Sequence, residues 1–265
     1  MNTRNTNQGV LAIIFLQSTL RILFLIFLLV AGNSLLEGNK SGSISEPNML
    51  QLTEQIEGHM YIGWNSHYSS EGRDNLDGDS LIVNDVQLSW EFLSCGIWYV
   101  ASPDQSYDEL QTTIAANQTT GNFDFYFSYT HLQFPSDNQR DNETGAGLAI
   151  SELPADFQSA VDIYYSFEAN GSFTTISVAR EFTITESLNI VGSGILGMNQ
   201  GYVEEGHDGL NQFELKLEST YNVSDSILII AQIAQSWEID SDSDLPGDES
   251  LVDFFNGSIG IHWSL

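Results

Sequence analysis

Ser66 and His67 are the residue types of a nucleophile and its base, and His262 with Ser264 repeats the pair near the other end. A serine becomes a nucleophile when an imidazole within hydrogen-bond reach takes its proton. On a strand Ser66 and His67 point to opposite faces, as any adjacent pair does. His262 and Ser264 share a face, but no companion acid is evident. Polar residues in contact with water account for both pairs, so no catalytic residue is assigned. The chain has no GxSxG, HExxH or GxxxxGK[ST] motif, which disfavours the commonest motif-bearing hydrolases and nucleotide enzymes.

Asp240, Asp242 and Asp244 alternate like the opening carboxylates of a calcium loop. Leu245 stands where such a loop needs a sixth-position Gly, and Leu251 replaces its twelfth-position Glu. The run therefore reads as a solvated loop, as does Asp74, Asp77 and Asp79; no metal or cofactor is assigned. Glu214, Lys216 and Glu218 form a third arrangement, with alternating sign. They fit a ladder of charges across a pore, or pairs that plug it. Together with Asp85, Glu91, Asp162 and Glu168 they are candidates for a net negative lumen, which would prefer small cations if filled with water.

The elements that must carry these residues have a period of two, the strand period. In FELKLESTY, Phe213, Leu215, Leu217 and Tyr221 fall on one face and Glu214, Lys216 and Glu218 on the other. Phe123, Phe125, Phe127 and Tyr129 share a face, as do Phe157, Val161, Ile163, Tyr165 and Phe167. Twelve strands are expected, near 59–69, 81–93, 94–102, 108–118, 121–134, 144–152, 157–168, 171–182, 186–198, 209–222, 225–238 and 252–265. Most are long enough for the roughly 9–11 residues that cross a bilayer at a tilt. Tight turns alternate with longer loops, apart from a very short connection at Asn170–Gly171. The longer loops hold Glu71, Asp74, Asp77 and Asp79, then Glu204, Glu205 and Asp208, then Asp248 and Glu249 with the aspartates above. Those acids are expected to be exposed, since unpaired burial costs too much. Trp64, Trp90, Trp98, Trp237 and Trp263 are candidates for interfacial aromatic belts.

Composition narrows the classes further. There are 36 acidic against 7 basic residues, a formal charge of -29, which repels polyanions and excludes nucleic acid as a partner. Cys95 is the single cysteine, so no intramolecular disulfide can form. Residues 1–33 read as a signal peptide, with Arg4 before the apolar core ILFLIFLLVAG (22–32); an uncleaved anchor is the alternative. Residues 34–57 read as a polar periplasmic lead, and 58–265 as the barrel.

The pattern over about residues 58–265 resembles the bacterial outer-membrane β-barrels. Their last strand alternates apolar residues and ends in an aromatic; Phe255, Gly257, Ile259, Ile261 and Trp263 match, while Leu265 departs from that ending. The segment GWNSHYSSEGRDNLDGDSL is similar to the opening of several uncharacterised porin-like families. The resemblance implies an all-β, antiparallel transmembrane barrel of about twelve strands in the cell outer membrane. It also implies lipids and the barrel-insertion machinery as partners, and both ends in the periplasm. It implies no solute. A narrow cation-preferring channel or structural membrane protein is the leading expectation. A secreted β-sandwich surface-binding module and a barrel enzyme acting on lipids are the rivals.

Overall fold

The computed structural model describes residues 56–265. The expected signal peptide and most of the expected lead lie outside the described residues. The strands are β1 (Ile56–Asn65), β2 (Ser69–Ser70), β3 (Arg73–Asp74), β4 (Leu81–Trp90), β5 (Leu93–Ala101), β6 (Asp108–Thr120) and β7 (Phe123–Phe134). They continue as β8 (Gln139–Leu153), β9 (Phe157–Ser166), β10 (Gly171–Thr185), β11 (Leu188–Gln200), β12 (Gly209–Ser224), β13 (Ile227–Glu238) and β14 (Phe254–Ser264). All but the two-residue strands β2 and β3 form a closed barrel in which each strand pairs antiparallel with its neighbours. β14 closes the ring on β1, with Ile62 opposite Ile261 and Trp64 opposite Ile259.

Alternation sorts the side chains. Met60, Ile62 and Trp64, Phe123, Phe125 and Phe127, Phe213, Leu215 and Leu217, and Ile259 and Ile261 all lie on the outside, each more than a third exposed. An apolar surface this continuous is unstable in water and stable against lipid tails. Closure leaves no unpaired strand edge, the condition for sheet to cross hydrocarbon. Trp64 and Trp237 stand near one rim of the barrel and Trp263 near the other; Trp90, also near that second rim, is buried and does not face out as a belt residue would. Trp98 belongs to neither belt: it pairs with Asp85 and Gln111 on the inner face.

The expected alternation of turns is present. Connections 91–92, 121–122, 154–156, 186–187 and 225–226 are short and share one rim with the end of β14. At the other rim run 66–80 (L1), 102–107 (L2), 135–138 (L3), 167–170 (L4), 201–208 (L5) and 239–253 (L6). Several boundaries are corrected, among them the end of β1, which is Asn65 rather than 69. β1 starts at Ile56, so the barrel takes the last two residues assigned to the lead. β8 starts at Gln139 rather than 144, because its polar first half pairs with β7 through Gln133–Arg140 and Thr130–Glu143. L4 is a turn of Phe167–Asn170.

Candidate functional site: the lumen and its outer mouth

L1 does not stand away from the barrel but crosses its mouth. Tyr68 in L1 donates to Glu109 on β6 at 2.6 Å. On the other side Asn211 of β12 donates to the Glu71 carbonyl, and Gly72 (φ +76°) lies so close to Gln212 that a Cβ there would sit 2.6 Å from it. β6 and β12 are half-way round the twelve-strand ring from one another, so L1 spans the diameter. Leu76 anchors it among Leu81, Val83 and Val100, with Tyr61, Tyr68, Trp98 and Tyr107 packed around them. Leu81, Val83 and Val100 are inner-face positions of β4 and β5, an apolar foothold inside an otherwise polar lumen.

Asp248 ties L1, L5 and L6 together. Its side chain is fully buried and meets Arg73 at 3.0 Å and His207 Nδ1 at 2.6 Å. The backbone amides of His207 and Asp242 also donate to it, and Arg73 Nε donates to the Gly247 carbonyl. Burial opposes the Asp248 charge, but the Asp242 amide and the His207 ring and amide outweigh it and hold the carboxyl below its ordinary range. Burial likewise opposes a charge on His207; the Leu210 carbonyl and Asp248 outweigh it and raise the imidazole. The expectation that Glu71, Asp74 and Asp248 are exposed loop acids is thus corrected, since Asp74 and Asp248 are buried and burial pushes the Glu71 carboxyl up. A buried carboxylate with a cation and several donors avoids the penalty of unpaired burial.

Beneath L1 lie two cavities. The outer one, about 550 Å³, is lined by Glu71, Glu109, Asp141 and Glu143 together with Tyr107 and Tyr202. Tyr107 donates to Glu109 at 2.6 Å, Gln111 donates to the same carboxylate at 2.7 Å, and Tyr202 donates to Glu143. Burial first, then Glu109, raises the Tyr68 and Tyr107 hydroxyls well above their ordinary value, so both stay protonated donors. The inner cavity, about 560 Å³, is lined by Asp85, Gln87, Trp98, Thr113 and Tyr126 among others. The two share Tyr68, Ser70, Gln111 and Tyr164. Neither lining contains a lysine or arginine among the described residues.

The sequence-derived candidates divide. Asp85 lines the inner cavity. Asp162 accepts from Tyr126 at 2.9 Å beside it. Glu214, Lys216 and Glu218 lie opposite Ile195, Ser193 and Val191, on the face of β12 away from exposed Leu215 and Leu217. Glu91 and Glu168 are not on the wall. Glu91 occupies a turn with φ +52°, and Glu168 caps the other rim by accepting from the Asn142 amide and side chain. Both positions lie past the strand ends, where alternation no longer sets direction. Asp240, Asp242 and Asp244 do not converge: Asp242 accepts from the Asp244 amide, and no group of three metal-capable side chains occurs among the described residues. Ser66 and His67 also lie past β1, so strand alternation fails there. Ser66 Oγ is 3.0 Å from His67 Nδ1, with Asp74 3.8 Å from His67 Nε2. Ser66 Oγ also accepts from the Gly257 amide, which fixes it as a cap where β1 leaves β14. His262 stacks on His59 at 5.1 Å rather than meeting an acid.

Glu109, Asp141 and Glu143 were missed. The alternation of Glu109, Gln111 and Thr113 against Leu110, Thr112 and Ile114 marks Glu109 as inward. Glu143 lies in the polar first half of β8, where no apolar alternation marks a strand.

Compared by sequence, the chain matches no protein-family model and no curated protein. Among solved structures it is similar to the KdgM porin, at 7% identity over 78% of this chain and 99% of that chain, with a TM-score of 0.55. It is similar to the NanC porin at 10% identity over 78% of this chain and 100% of that one, with a TM-score of 0.50. A KdgM porin in complex with disordered oligogalacturonate gives 8% identity, 79% and 99% coverage and a TM-score of 0.50. At these identities the likeness concerns the backbone, and by that measure the chain has the closed twelve-stranded antiparallel barrel fold of these porins.

Proposed function

We propose that this chain is an outer-membrane barrel working as a narrow passive channel that prefers cations. The observation that carries the reading is the pair of adjoining cavities, lined by Asp85, Glu71, Glu109, Asp141 and Glu143 without a basic residue. A water-filled passage with low-dielectric walls and one sign of lining charge attracts counter-ions and repels like ions. One similar porin was solved with oligogalacturonate, an acidic sugar that this lumen would repel. L1 makes the passage narrow, which suits small solutes. A hydrolase is less well supported, because Ser66 is held by Gly257 and the Asp74–His67 separation of 3.8 Å exceeds a hydrogen bond.

The test is the reversal potential of purified, heat-modifiable protein in a planar bilayer under a salt gradient. Cation-preferring current is expected, with the potential moving toward zero in the double variant Asp85→Asn, Asp162→Asn. Anion preference would sink the proposal. Folded but silent protein would identify a plugged barrel of structural duty.

A further inference from the structure

Arg180 interrupts the apolar outer wall. On β10 it shares a face with exposed Ile176, Val178 and Phe182. Its guanidinium carbon lies 5.7 Å from the Phe157 ring centre and 5.1 Å from that of Phe182. Its ion-pair partner is loose: Asp156 is 3.8 Å away, with a side chain 90% exposed. Its Nε is buried without a hydrogen-bond partner. A cation on the lipid face is costly at mid-membrane and tolerated near the headgroups. Asp156 sits in the short Pro154–Asp156 turn, so the guanidinium reaches the rim that carries the short turns, which the resemblance to outer-membrane barrels implies is the periplasmic one.

Beside it the wall is notched. Gly192 is the direct neighbour of Arg180 on β11, and Gly194 follows on the same face. With Phe157, Val178, Leu215 and Leu217 they line an outer groove of about 570 Å³; Phe157 also carries Arg180. Packing does not require these glycines. A Cβ on Gly192 would stand 3.5 Å from Leu217, and one on Gly194 3.6 Å from Phe213, both ordinary contacts, and neither glycine has a positive φ.

We infer that the groove and Arg180 together bind a phospholipid of the periplasm-facing leaflet, an acyl chain lying in the Gly192–Gly194 notch and the phosphate on the guanidinium. The inference rests on the membrane-barrel reading and adds a ligand to its outer wall. Charge complementarity selects the occupant: Arg is the side chain best matched to a phosphate, and the groove's apolar lining matches a hydrocarbon tail.

The experiment is native mass spectrometry of the full chain, extracted in mild detergent, against Arg180→Ala and the double variant Gly192→Val, Gly194→Val. Arg180→Gln serves as a second charge variant. Heat modifiability on a gel reports that each barrel is folded. Wild type should retain one phospholipid; the Arg180 variants should retain about tenfold less, the loss of one charge-assisted contact, and the glycine variant should also retain less because its side chains fill the notch. Equal retention in all variants overturns the site, as does loss in the glycine variant with Arg180→Ala and Arg180→Gln unchanged. A retained mass equal to lipopolysaccharide or to a second chain overturns the choice of occupant. A folded barrel that keeps no phospholipid removes this inference and leaves the channel standing; a chain soluble without detergent removes both.

Discussion

At the scale of single residues, Asp248 is the side chain on which the outer mouth depends. It compensates Arg73, whose side chain is 3% exposed, and accepts from His207. Asp248→Asn leaves a buried guanidinium without its counter-charge, a loss of about 3–5 kcal/mol. Hydrogen exchange and limited proteolysis should show L1, L5 and L6 opening while the barrel remains heat-modifiable. The pH dependence follows from the two shifts. The depressed Asp248 contributes fully above the unfolded aspartate value of about 3.9, and its share is lost as pH falls through its lower folded pKa. The raised His207 contributes fully below the unfolded histidine value of about 6.5, and its share is lost as pH rises through its higher folded pKa. Loop protection should therefore peak between those values and decline on both sides. A flat profile from acid to neutral would show that the cluster does not hold the loops.

At the scale of elements, the strands are shaped by small residues beneath large ones. Tyr126 lies across Gly147 on β8, where a Cβ would stand 2.1 Å from its ring and 2.5 Å from Asp162. Tyr61 lies across Gly63 and Gly260 in the same manner. Gly147→Ala must displace Tyr126 and its hydrogen bond to Asp162, costing about 1–3 kcal/mol, read as a lower urea midpoint of the folded barrel. L1 is the other element with a defined duty. Leu76→Ala removes its buried anchor at a cost of about 2–5 kcal/mol, and the single-channel current should become larger and noisier. An unchanged current would mean that L1 does not restrict the passage.

At the scale of the whole molecule, acids far outnumber bases, yet the charge is not spread evenly: the outer wall is apolar and the acids line the lumen, its mouth and the loops. Selectivity that comes from this field should weaken with salt. Raising the electrolyte from 0.1 to 1 M shortens the screening length from about 10 to about 3 Å, so cation preference should fall while conductance rises. A preference unchanged by salt would assign selectivity to pore width instead. The closed ring adds a second whole-molecule property. With β14 paired to β1, removing β14 opens two edges at once, and the remaining chain should fail to become heat-modifiable.

The sequence by itself determined the class, the number of strands and the inward or outward direction of most side chains, because a period of two is a local property of extended backbone. Phe213, Leu215 and Leu217 could be placed against Glu214, Lys216 and Glu218 without knowing what lay beside them. Where the chain left the strands, that logic stopped. Alternation points Glu91 and Glu168 into the lumen, yet they stand in turns, and it sets Ser66 and His67 apart, yet they meet. The residue type of Trp98 suits an interfacial belt; only the register with Asp85 and Gln111 turns it inward. The crossing of L1 over the mouth and the burial of Arg73 with Asp248 were settled by tertiary structure. Arg73 and Asp248 are 175 residues apart, and nothing local brings them together. Their burial is favourable only as a pair, so neither residue alone carries the signal of its place.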